Sequence, residues 1–290
     1  MKKVLLQLDT GEHPSPFDAI VAVDADVDVL LPHSGVKPED VRGLVQDAFF
    51  TRGVDDLKST AVWVGGKQVA TGEKIFEAVQ KAFFGPFRVS VMLDSNGCNT
   101  TAATTIARIA KARDLSGCRA AVLGLGAVGL RSATLLQQEG CDVILAALPS
   151  DLFADDRPYH RPHGLDVAHD RGLDAREPAD RGELEALLDG VQIVLSAGPS
   201  GVTVLRKEFW TQHPTFELLA DYNAADPLGI EGTKATDDMA DYDGKVVLGA
   251  LAIGGPKMKV HKTCIQRLFE TSDAVLDVDG VYEIAKEQLT

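Results

Sequence analysis

Three glycines near the middle of the chain have the spacing of a phosphate-binding turn. Gly124, Gly126 and Gly129 form the pattern G-x-G-x-x-G. In such a turn the first glycine permits a tight bend, the second lets the backbone approach a pyrophosphate, and the third lets the following helix pack closely on the preceding strand. The N-terminus of that helix also presents unpaired N–H groups and the positive end of its dipole to an anion. The pattern predicts dinucleotide binding, with a purely structural turn as the alternative.

The residues around these glycines have the patterns of the strand, helix and strand that such a turn needs. Residues 120–123 are continuously apolar, which is typical of a strand buried on both faces. Residues 130–138 predict a helix that ends at Gly140, and residues 141–145 predict the next strand. That strand should end in an acidic residue for NAD or lie near an arginine for NADP, but residues 146–150 are AALPS. The sequence therefore leaves NAD and NADP both open.

A polar loop follows another predicted strand. Residues 89–93 are apolar, and the next eight residues, 94–101, have the sequence DSNGCNTT. Open α/β sheets usually bind ligands at the carboxyl ends of their strands. We expect Asn99 or Thr100 to cap a helix that runs to Ala112, and the remaining polar side chains are either turn residues or ligand contacts.

Two lysines follow a glycine-rich stretch late in the chain. A predicted strand at 245–248 leads into GALAIGGPKMK, and the apolar positions after it predict a helix from about Lys257 through Phe269. Lys257 and Lys259 would then lie at the N-terminus of that helix, the end at which the dipole disfavours a cation. A bound anion or carbonyl group would offset this placement, so we expect one of the two lysines to face a ligand, with a solvated pair as the alternative. We interpret His261 as a packed or solvated residue and not as a base.

The other apolar segments indicate alternating strands and helices, and hence an α/β protein. An amphipathic helix is predicted at 72–84. Further strands are predicted at residues 4–8, 20–23, 61–64, 192–198 and 216–222.

The segment 150–180 is rich in Asp, Arg, Pro and His and is predicted to be a surface excursion between sheet elements. Its histidines, His160, His163 and His169, do not have zinc-ligand spacing, so we predict no metal site. Arg157 or Arg161 could reach a 2′-phosphate, although nothing nearby in the sequence requires it.

Composition and charge exclude several classes of partner. The chain has 290 residues, of which 45% are hydrophobic and 25% charged, and this is ordinary for an enzyme of two domains. Its formal charge of −14, with no basic tract, argues against binding to nucleic acid or to an anionic membrane. Four scattered cysteines without C-x-x-C spacing, and the lack of an apolar signal or membrane-spanning segment, predict a cytoplasmic protein with reduced, mostly buried thiols.

Several longer stretches together resemble one enzyme family. They span most of the chain except residues 146–189, and they are PSPFDAIVAVD, STAVWVGG, GEKIFEAVQKAFFGPFRVSVMLDSNGCNTTAA, GLGAVGLRSA, LLADYNAADPLGI and GALAIGGPKMKVHKTCIQRLFE. The chain resembles the methylene-tetrahydromethanopterin dehydrogenases of methylotrophic bacteria, a family that includes forms active on methylene-tetrahydrofolate.

The resemblance implies a fold, a reaction and an assembly. The expected fold is an N-terminal α/β pterin-binding domain at 1–110, joined by the C-terminal helix at 270–290, plus a Rossmann-like doubly wound nucleotide-binding domain at 111–269. The expected reaction is direct hydride transfer from a tetrahydropterin carrier of one-carbon units to NAD or NADP. The expected assembly is a homo-oligomer based on trimers.

The resemblance also implies site residues. Phe17, Asp18, Asn96, Thr101 and Lys257 fall on positions that in the family border the pterin and the hydride-transfer site, and we assign Lys257, Asn96 and Thr101 to catalysis. Further substrate contacts are expected at Asp94, Ser95 and Lys259. Predicted cofactor contacts are Gly124, Gly126, Ala127, Val128, Gly129, Ser196, Ala197, Gly198, Asp221, Asn223 and Ala250. Family members that prefer NADP carry an arginine just after the second strand of the nucleotide domain, where this chain has Ala147-Leu148-Pro149.

The chemistry of hydride loss limits the role of Lys257. Loss of hydride from a carbon between two nitrogens gives a delocalised cation and removes no proton, so no general base is required. A lysine cation beside the developing cation would oppose the transition state. We therefore predict that Lys257 binds a substrate oxygen, carboxylate or phosphate, or a water. The alternatives are an enzyme that acts on methylene-tetrahydrofolate, with or without methenyl hydrolysis, and a nucleotide-binding protein without redox activity.

Overall fold

The computed structural model describes residues 1–153 and 164–289. Arg157, Arg161, His160 and His163, which the sequence singled out, lie outside these described residues. The strands are β1 (Val4–Asp9), β2 (Val29–His33), β3 (Thr60–Gly65), β4 (Ser90–Leu93), β5 (Arg119–Leu123), β6 (Asp142–Ala146), β7 (Asp174–Arg176), β8 (Ile193–Ser196), β9 (Leu218–Asp221), β10 (Asp238–Tyr242), β11 (Lys245–Leu248) and β12 (Val275–Leu276). The helices are α1 (Pro16–Asp24), α2 (Val41–Phe50), α3 (Val69–Ala82), α4 (Cys98–Ala112), α5 (Ala127–Gln138), α6 (Gly164–Asp170), α7 (Arg181–Leu187), α8 (Lys207–Gln212), α9 (Ala250–Arg267) and α10 (Val278–Leu289). Every helix in the two described ranges is too short or too polar to cross a membrane.

The chain divides into two compact units. One unit is Met1–Thr100 with Lys257–Thr290, and the other is Thr101–Pro256. The predicted limits, at residues 110 and 269, differ from these and fall near the C-terminal ends of α4 and α9. Apolar periodicity marks a helix as one element and carries no signal for the turn at which its contacts pass from one core to another.

The first unit contains a parallel sheet whose described strands have the order β12-β4-β3-β1-β2. Side chains alternate between its two faces. One face packs on α2 and α3 through a core of Leu6, Leu8, Val62, Val64, Val91, Leu93, Val45, Phe49, Ile75 and Val79. On the other face Gln7, Trp63 and Met92 form one row across three strands. Asp9 and Asp94 follow at the strand ends, so this face becomes polar and charged at its carboxyl edge.

The second unit contains a sheet whose described strands have the order β10-β11-β9-β8-β5-β6-β7. In it β10 is antiparallel to β11, and the other pairings of these described strands are parallel. Strand order reverses between β5 and β8, and such a reversal is where doubly wound sheets bind ligands. The predicted α/β class with parallel sheets is confirmed, and the glycine turn lies directly after β5 at this reversal.

The predicted strand at residues 20–23 is wrong, because these residues lie within α1. Ser15 accepts a hydrogen bond from the backbone N–H of Asp18, and Pro16 is the first helical residue. Both features are helix start signals. A four-residue apolar run cannot by itself distinguish a strand from a buried helical turn, so the start signals decide.

Four described strands, β2, β7, β10 and β12, lie where none was predicted. Strand β2 is an edge strand that contains Pro32, and proline weakens a strand pattern. Strand β7 lies within the 150–180 segment, which is therefore not wholly a surface excursion, and it pairs with β6. The thiol prediction is confirmed, since the four cysteines are free and buried.

The glycine turn has two positions at which a side chain would collide with the fold and one at which it would not. A Cβ on Gly124 would lie 2.4 Å from the carbonyl oxygen of Ala197, and a Cβ on Gly129 would lie 2.2 Å from the carbonyl oxygen of Gly124. Gly124 also has a φ of +122°, which other residues rarely adopt. A Cβ on Gly126 would meet no atom of the described residues within 4 Å.

We predict that Gly124→Ala and Gly129→Ala each lower the free energy of unfolding by about 2 kcal/mol or more, because backbone must shift. Gly126→Ala should change it by less than about 1 kcal/mol. Urea unfolding of the three variants measures these differences. Equal destabilisation by all three substitutions would contradict this account of the turn.

Candidate active site

In the first unit, the loop after β4 is organised by the buried carboxylate of Asp94. Its Oδ1 accepts hydrogen bonds from the backbone N–H groups of Asn99 (2.9 Å) and Thr100 (3.0 Å), and its Oδ2 accepts one from the Thr100 hydroxyl (2.7 Å). The predicted cap, Asn99 or Thr100, is therefore wrong, and Asp94 caps α4 from outside the helix. This carboxylate was predicted to contact substrate, but its oxygens already satisfy the start of a helix.

The turn that follows Asp94 uses two consecutive residues in the left-handed region. Asn96 has a φ of 55° and Gly97 a φ of 64°. The backbone N–H of Asn96 donates to the carbonyl of Gly66 at 2.7 Å, which ties the turn to the end of β3. A Cβ on Gly97 would lie 3.2 Å from the Nζ of Lys257. Glycine at position 97 therefore gives the Lys257 ammonium room to lie against this turn.

Lys257 is at the centre of a group of residues that the fold brings together. Its side chain is only 8% exposed, and its Nζ lies 5.0 Å from the centroid of the Phe17 ring and 3.4 Å from Nδ1 of His261. A cation above an aromatic face is attracted by the quadrupole of the ring. We call Phe17, Gly97, Lys257 and His261 the lysine cluster. It unites α1, the loop after β4 and α9 within one unit.

The helix that carries Lys257 begins earlier than predicted. Helix α9 starts at Ala250, so Lys257 lies about two turns inside it and the predicted placement at the dipole end is wrong. Pro256 interrupts the helix without ending it. The carbonyl of Ala252, which would have bonded to the missing N–H at residue 256, accepts a hydrogen bond from Arg108 at 3.0 Å. The glycines and proline of this stretch resemble a helix boundary, and this replacement bond explains why the helix continues.

The two lysines that the sequence paired do not share a position. Residues two apart on a helix lie about 200° apart around its axis. Lys259 is accordingly exposed, whereas Lys257 is buried. Lys259 lies outside the lysine cluster.

Three carboxylates lie around the cluster. Burial, followed by the nearby charges of Asp94 and Asp9, raises the pKa of Asp18 from 3.8 to about 7, and Lys257 and Ser15 partly oppose this shift. The carboxylate of Asp9 accepts hydrogen bonds from the N–H groups of Gly11 (2.7 Å) and Ser15 (3.0 Å). The Asp18 carboxyl therefore titrates near neutral pH, where it can either donate or accept a hydrogen bond.

His261 is packed, which is one of the two placements predicted for it, and it is also a neighbour of the charged groups. It is 1% exposed, its ring meets the Trp63 ring edge-on at 5.0 Å between centroids, and its Nδ1 lies 3.7 Å from the Oδ2 of Asp94. Burial lowers the pKa of His261 to about 4, with Asp94 opposing the shift and Lys257 adding to it. The imidazole is neutral near pH 7.

Two further residues predicted for substrate binding or catalysis, Ser95 and Thr101, belong to different units. Ser95 is buried, and its hydroxyl donates to the carbonyl of Gly65 at 3.1 Å, so it holds the loop. Thr101 belongs to the second unit, where its carbonyl accepts a hydrogen bond from Thr105.

Sequence reasoning missed Asp9, Gly97 and Trp63. A signal for Asp9 was available, because it directly follows the strand predicted at residues 4–8.

In the second unit, the turn after β5 has the geometry of an open phosphate cradle. Gly126 is the N-cap of α5. Because glycine has no side chain, it cannot accept a hydrogen bond from the first N–H groups of the helix. The first helical residues, Ala127, Val128 and Gly129, therefore begin a helix whose end can accept an anion. Ala197 lies across this turn, and its N–H donates to the carbonyl of Leu123 at 2.8 Å. Close packing between Ala197 and Gly124 holds the turn to the end of β8.

The other predicted cofactor residues of this unit are largely committed to the fold. Burial raises the pKa of Asp221, whose oxygens accept from the N–H groups of Asn223 and Ile230, both at 3.0 Å. The Asn223 side chain spans the same loop, since its amide donates to the carbonyl of Pro227 at 3.0 Å. Ser196 and Gly198 lie at the end of β8, and Ala250 is the first residue of α9. Asp221 and Asn223 therefore shape the loop after β9.

The strand end that usually selects between NAD and NADP is apolar here. Ala147 and Leu148, which follow β6, are buried. Strand β7 brings Arg176 beside Ala146, but the Arg176 guanidinium pairs with Asp174 through Nε (2.6 Å) and Nη2 (2.8 Å). Among residues 1–153 and 164–289, no group of His, Cys, Asp and Glu is arranged to hold a metal ion.

The raised pKa of Asp18 predicts a pH-dependent effect of Asp18→Asn on stability. Between pH 3.8 and about 7 the folded protein holds a proton that the unfolded chain has released, so this carboxyl makes the fold less stable as pH rises. Asparagine does not titrate. The Tm of the variant minus that of the unmodified protein should therefore grow from about pH 4 to about pH 7 and then level off. Thermal scans across this range measure it, and a difference that is constant with pH would contradict the shift.

Comparison with known proteins identifies the family. Residues 16–96 match the family model described as methylene-tetrahydromethanopterin dehydrogenase, N-terminal. The chain is 43% identical, over 99% of each sequence, to the bifunctional protein MdtA of Methylorubrum extorquens. It is 31% identical, over 99% of this chain and 98% of the relative, to the NAD(P)-dependent methylenetetrahydromethanopterin dehydrogenase of the same organism. An NAD-dependent malic enzyme from Thermotoga maritima shares the fold, with a TM-score of 0.53, 14% identity and coverage of 99% of this chain and 83% of its own. The chain belongs to the methylene-tetrahydromethanopterin dehydrogenase family.

Proposed function

We propose that this protein oxidises methylene-tetrahydromethanopterin to its methenyl form by direct hydride transfer to NAD or NADP. The observation that carries the proposal is the open position at Gly126 in a chain of this family. A Cβ there would meet no atom of the described residues within 4 Å, so the described part of the fold does not require glycine at the position where a pyrophosphate needs close approach.

The glycine turn and the residues beside it would bind the dinucleotide. Backbone N–H groups of Ala127 and Val128 at the start of α5 are suited to the pyrophosphate, and the positive end of the helix dipole adds to this. Ser196, Ala197 and Gly198 are small enough to let the cofactor lie against the end of β8. When bound, the nicotinamide ring accepts the hydride.

The lysine cluster would bind the pterin. Phe17 is 51% exposed, so one aromatic face is available to a flat heterocycle, while Lys257 lies beside it with hydrogen-bond donors. Asp18 can donate or accept at neutral pH and suits the mixed donors and acceptors of a pterin ring. Asn96, in the same unit, is proposed to border the same ligand.

The reaction needs orientation more than acid–base catalysis. The carbon between two nitrogens loses a hydride, the nicotinamide gains it, and the positive charge left behind is shared between the nitrogens, so no proton is transferred. Lys257 is proposed to hold a substrate oxygen, which positions the methylene carbon without placing the ammonium against the developing cation. The neutral state of His261 keeps a second cation away from that carbon.

A second candidate is the same oxidation on methylene-tetrahydrofolate. The relative with 43% identity is named as bifunctional, which favours testing a second activity. We also propose, from the family resemblance, that the protein acts in the cytoplasm as a homo-oligomer based on trimers.

Purified protein mixed with each methylene carrier and each dinucleotide, in four combinations, tests the function through absorbance of the reduced nicotinamide. We expect reduction with methylene-tetrahydromethanopterin. Reduction with the folate carrier alone would support the second candidate, and no reduction in any mixture would leave only a nucleotide-binding role. Gly126→Ala, as a control that retains the fold, should raise the KM for the dinucleotide by about tenfold or more.

Lys257→Ala should raise the KM for the tetrahydropterin by about 10- to 100-fold, the loss expected for one hydrogen bond from a charged donor. Lys259→Ala is the matched control, since it removes an exposed lysine from the same helix and should leave kinetics unchanged. Steady-state kinetics of both variants at saturating dinucleotide measure the difference. Unchanged turnover and affinity in Lys257→Ala would refute the assigned role.

A further inference from the structure

The hydrogen-bond chemistry of Lys257 fixes the state of its neighbour His261. An ammonium group carries three donors and no acceptor. The contact between Lys257 Nζ and His261 Nδ1, at 3.4 Å, therefore requires Nδ1 to be the acceptor. In a neutral imidazole the proton then lies on Nε2.

The alternative tautomer is disfavoured by the groups around the ring. The Oδ2 of Asp94 lies 3.7 Å from Nδ1, but it already accepts from the Thr100 hydroxyl at 2.7 Å. A proton on Nδ1 would gain little from Asp94 and would point at the Lys257 ammonium. The neutral form with a free Nδ1 lone pair fits Lys257, and it leaves the proton on Nε2, which is buried and has no hydrogen-bond partner among the described residues.

The ring is also held in place independently of Lys257. His261 is 1% exposed and meets the indole of Trp63 at an interplanar angle of 87°. Trp63 is fully buried in β3, within the sheet of the same unit. The acceptor that faces Lys257 is therefore mounted on rigid structure and does not depend on a mobile side chain.

We propose that His261 is a positioning residue for the pterin site: its neutral imidazole accepts a hydrogen bond from Lys257 and directs the ammonium between the Phe17 ring and Gly97. A lysine side chain has many rotamers, and fixing it before substrate arrives reduces the entropy lost on binding. The two remaining donors of the ammonium stay available to a substrate oxygen. This inference rests on the proposed function of the lysine cluster.

Two substitutions of similar shape separate positioning from packing. His261→Asn retains an acceptor oxygen close to the place of Nδ1, whereas His261→Leu puts a methyl group there. We expect His261→Leu to raise the KM for the tetrahydropterin by about tenfold or more, with a smaller effect on kcat, and His261→Asn to restore it to within about threefold of the unmodified enzyme. Equal KM values for the two variants, at similar Tm, would overturn the proposal.

A double-mutant cycle provides the second test. If His261 acts through Lys257, adding His261→Leu to Lys257→Ala should change the KM no further, because the group that it positions is already gone. A merely structural role would multiply the two effects, and that result would contradict the proposal.

A spectroscopic measurement tests the geometry without any activity. Nitrogen-15 chemical shifts of labelled histidine, with His261→Asn as the assignment control, should place the proton of His261 on Nε2 at neutral pH. A protonated Nδ1 would overturn the inference. Failure of the proposed function would appear differently, as an absence of nicotinamide reduction by the unmodified protein with either carrier while the tautomer is as expected.

Discussion

The chemistry of the first unit depends on one buried carboxylate, Asp94. A buried anion is costly unless hydrogen bonds and favourable dipoles surround it, and the start of α4 supplies both to Asp94. The same charge then acts on its surroundings, since it contributes to the raised pKa of Asp18 and lies near His261. A structural requirement, the capping of a helix, thus sets the electrostatics around Lys257. Separating a structural from a functional role for Asp94 is therefore artificial.

Among the described contacts of the lysine cluster, Lys257 forms no close ion pair. The ammonium is instead surrounded by an aromatic face, a glycine backbone and a neutral imidazole. These neighbours leave the positive charge of the ammonium unneutralised, whereas a carboxylate in direct contact would compete with any anionic or carbonyl ligand. The arrangement suits a residue whose partner arrives from solution.

Prediction from sequence succeeded where local sterics decide the structure and failed where distant contacts do. The glycine turn could be predicted because Gly129 is required by the carbonyl oxygen of Gly124 in the same turn, and Gly124 by its own positive φ. The position of Lys257 within α9 could not, because the carbonyl that Pro256 leaves without its helical partner is satisfied by Arg108, which is far away in the sequence. The cap of α4 was misassigned for a related reason: the sequence offers several polar residues there, and only the path of the loop selects Asp94. The convergence of Phe17, Gly97 and Lys257 combines three distant segments, so no local pattern contains it.

The three glycines of the turn differ in what keeps them in the sequence. Gly124 and Gly129 are needed by the fold, and a descendant that no longer used a dinucleotide would still retain them. Gly126 is not required in this way, because a Cβ there would meet no atom of the described residues within 4 Å. Over evolutionary time, the residue at position 126 is thus the one that would record whether a lineage still binds the cofactor, while the rest of the motif would persist as a relic of the architecture.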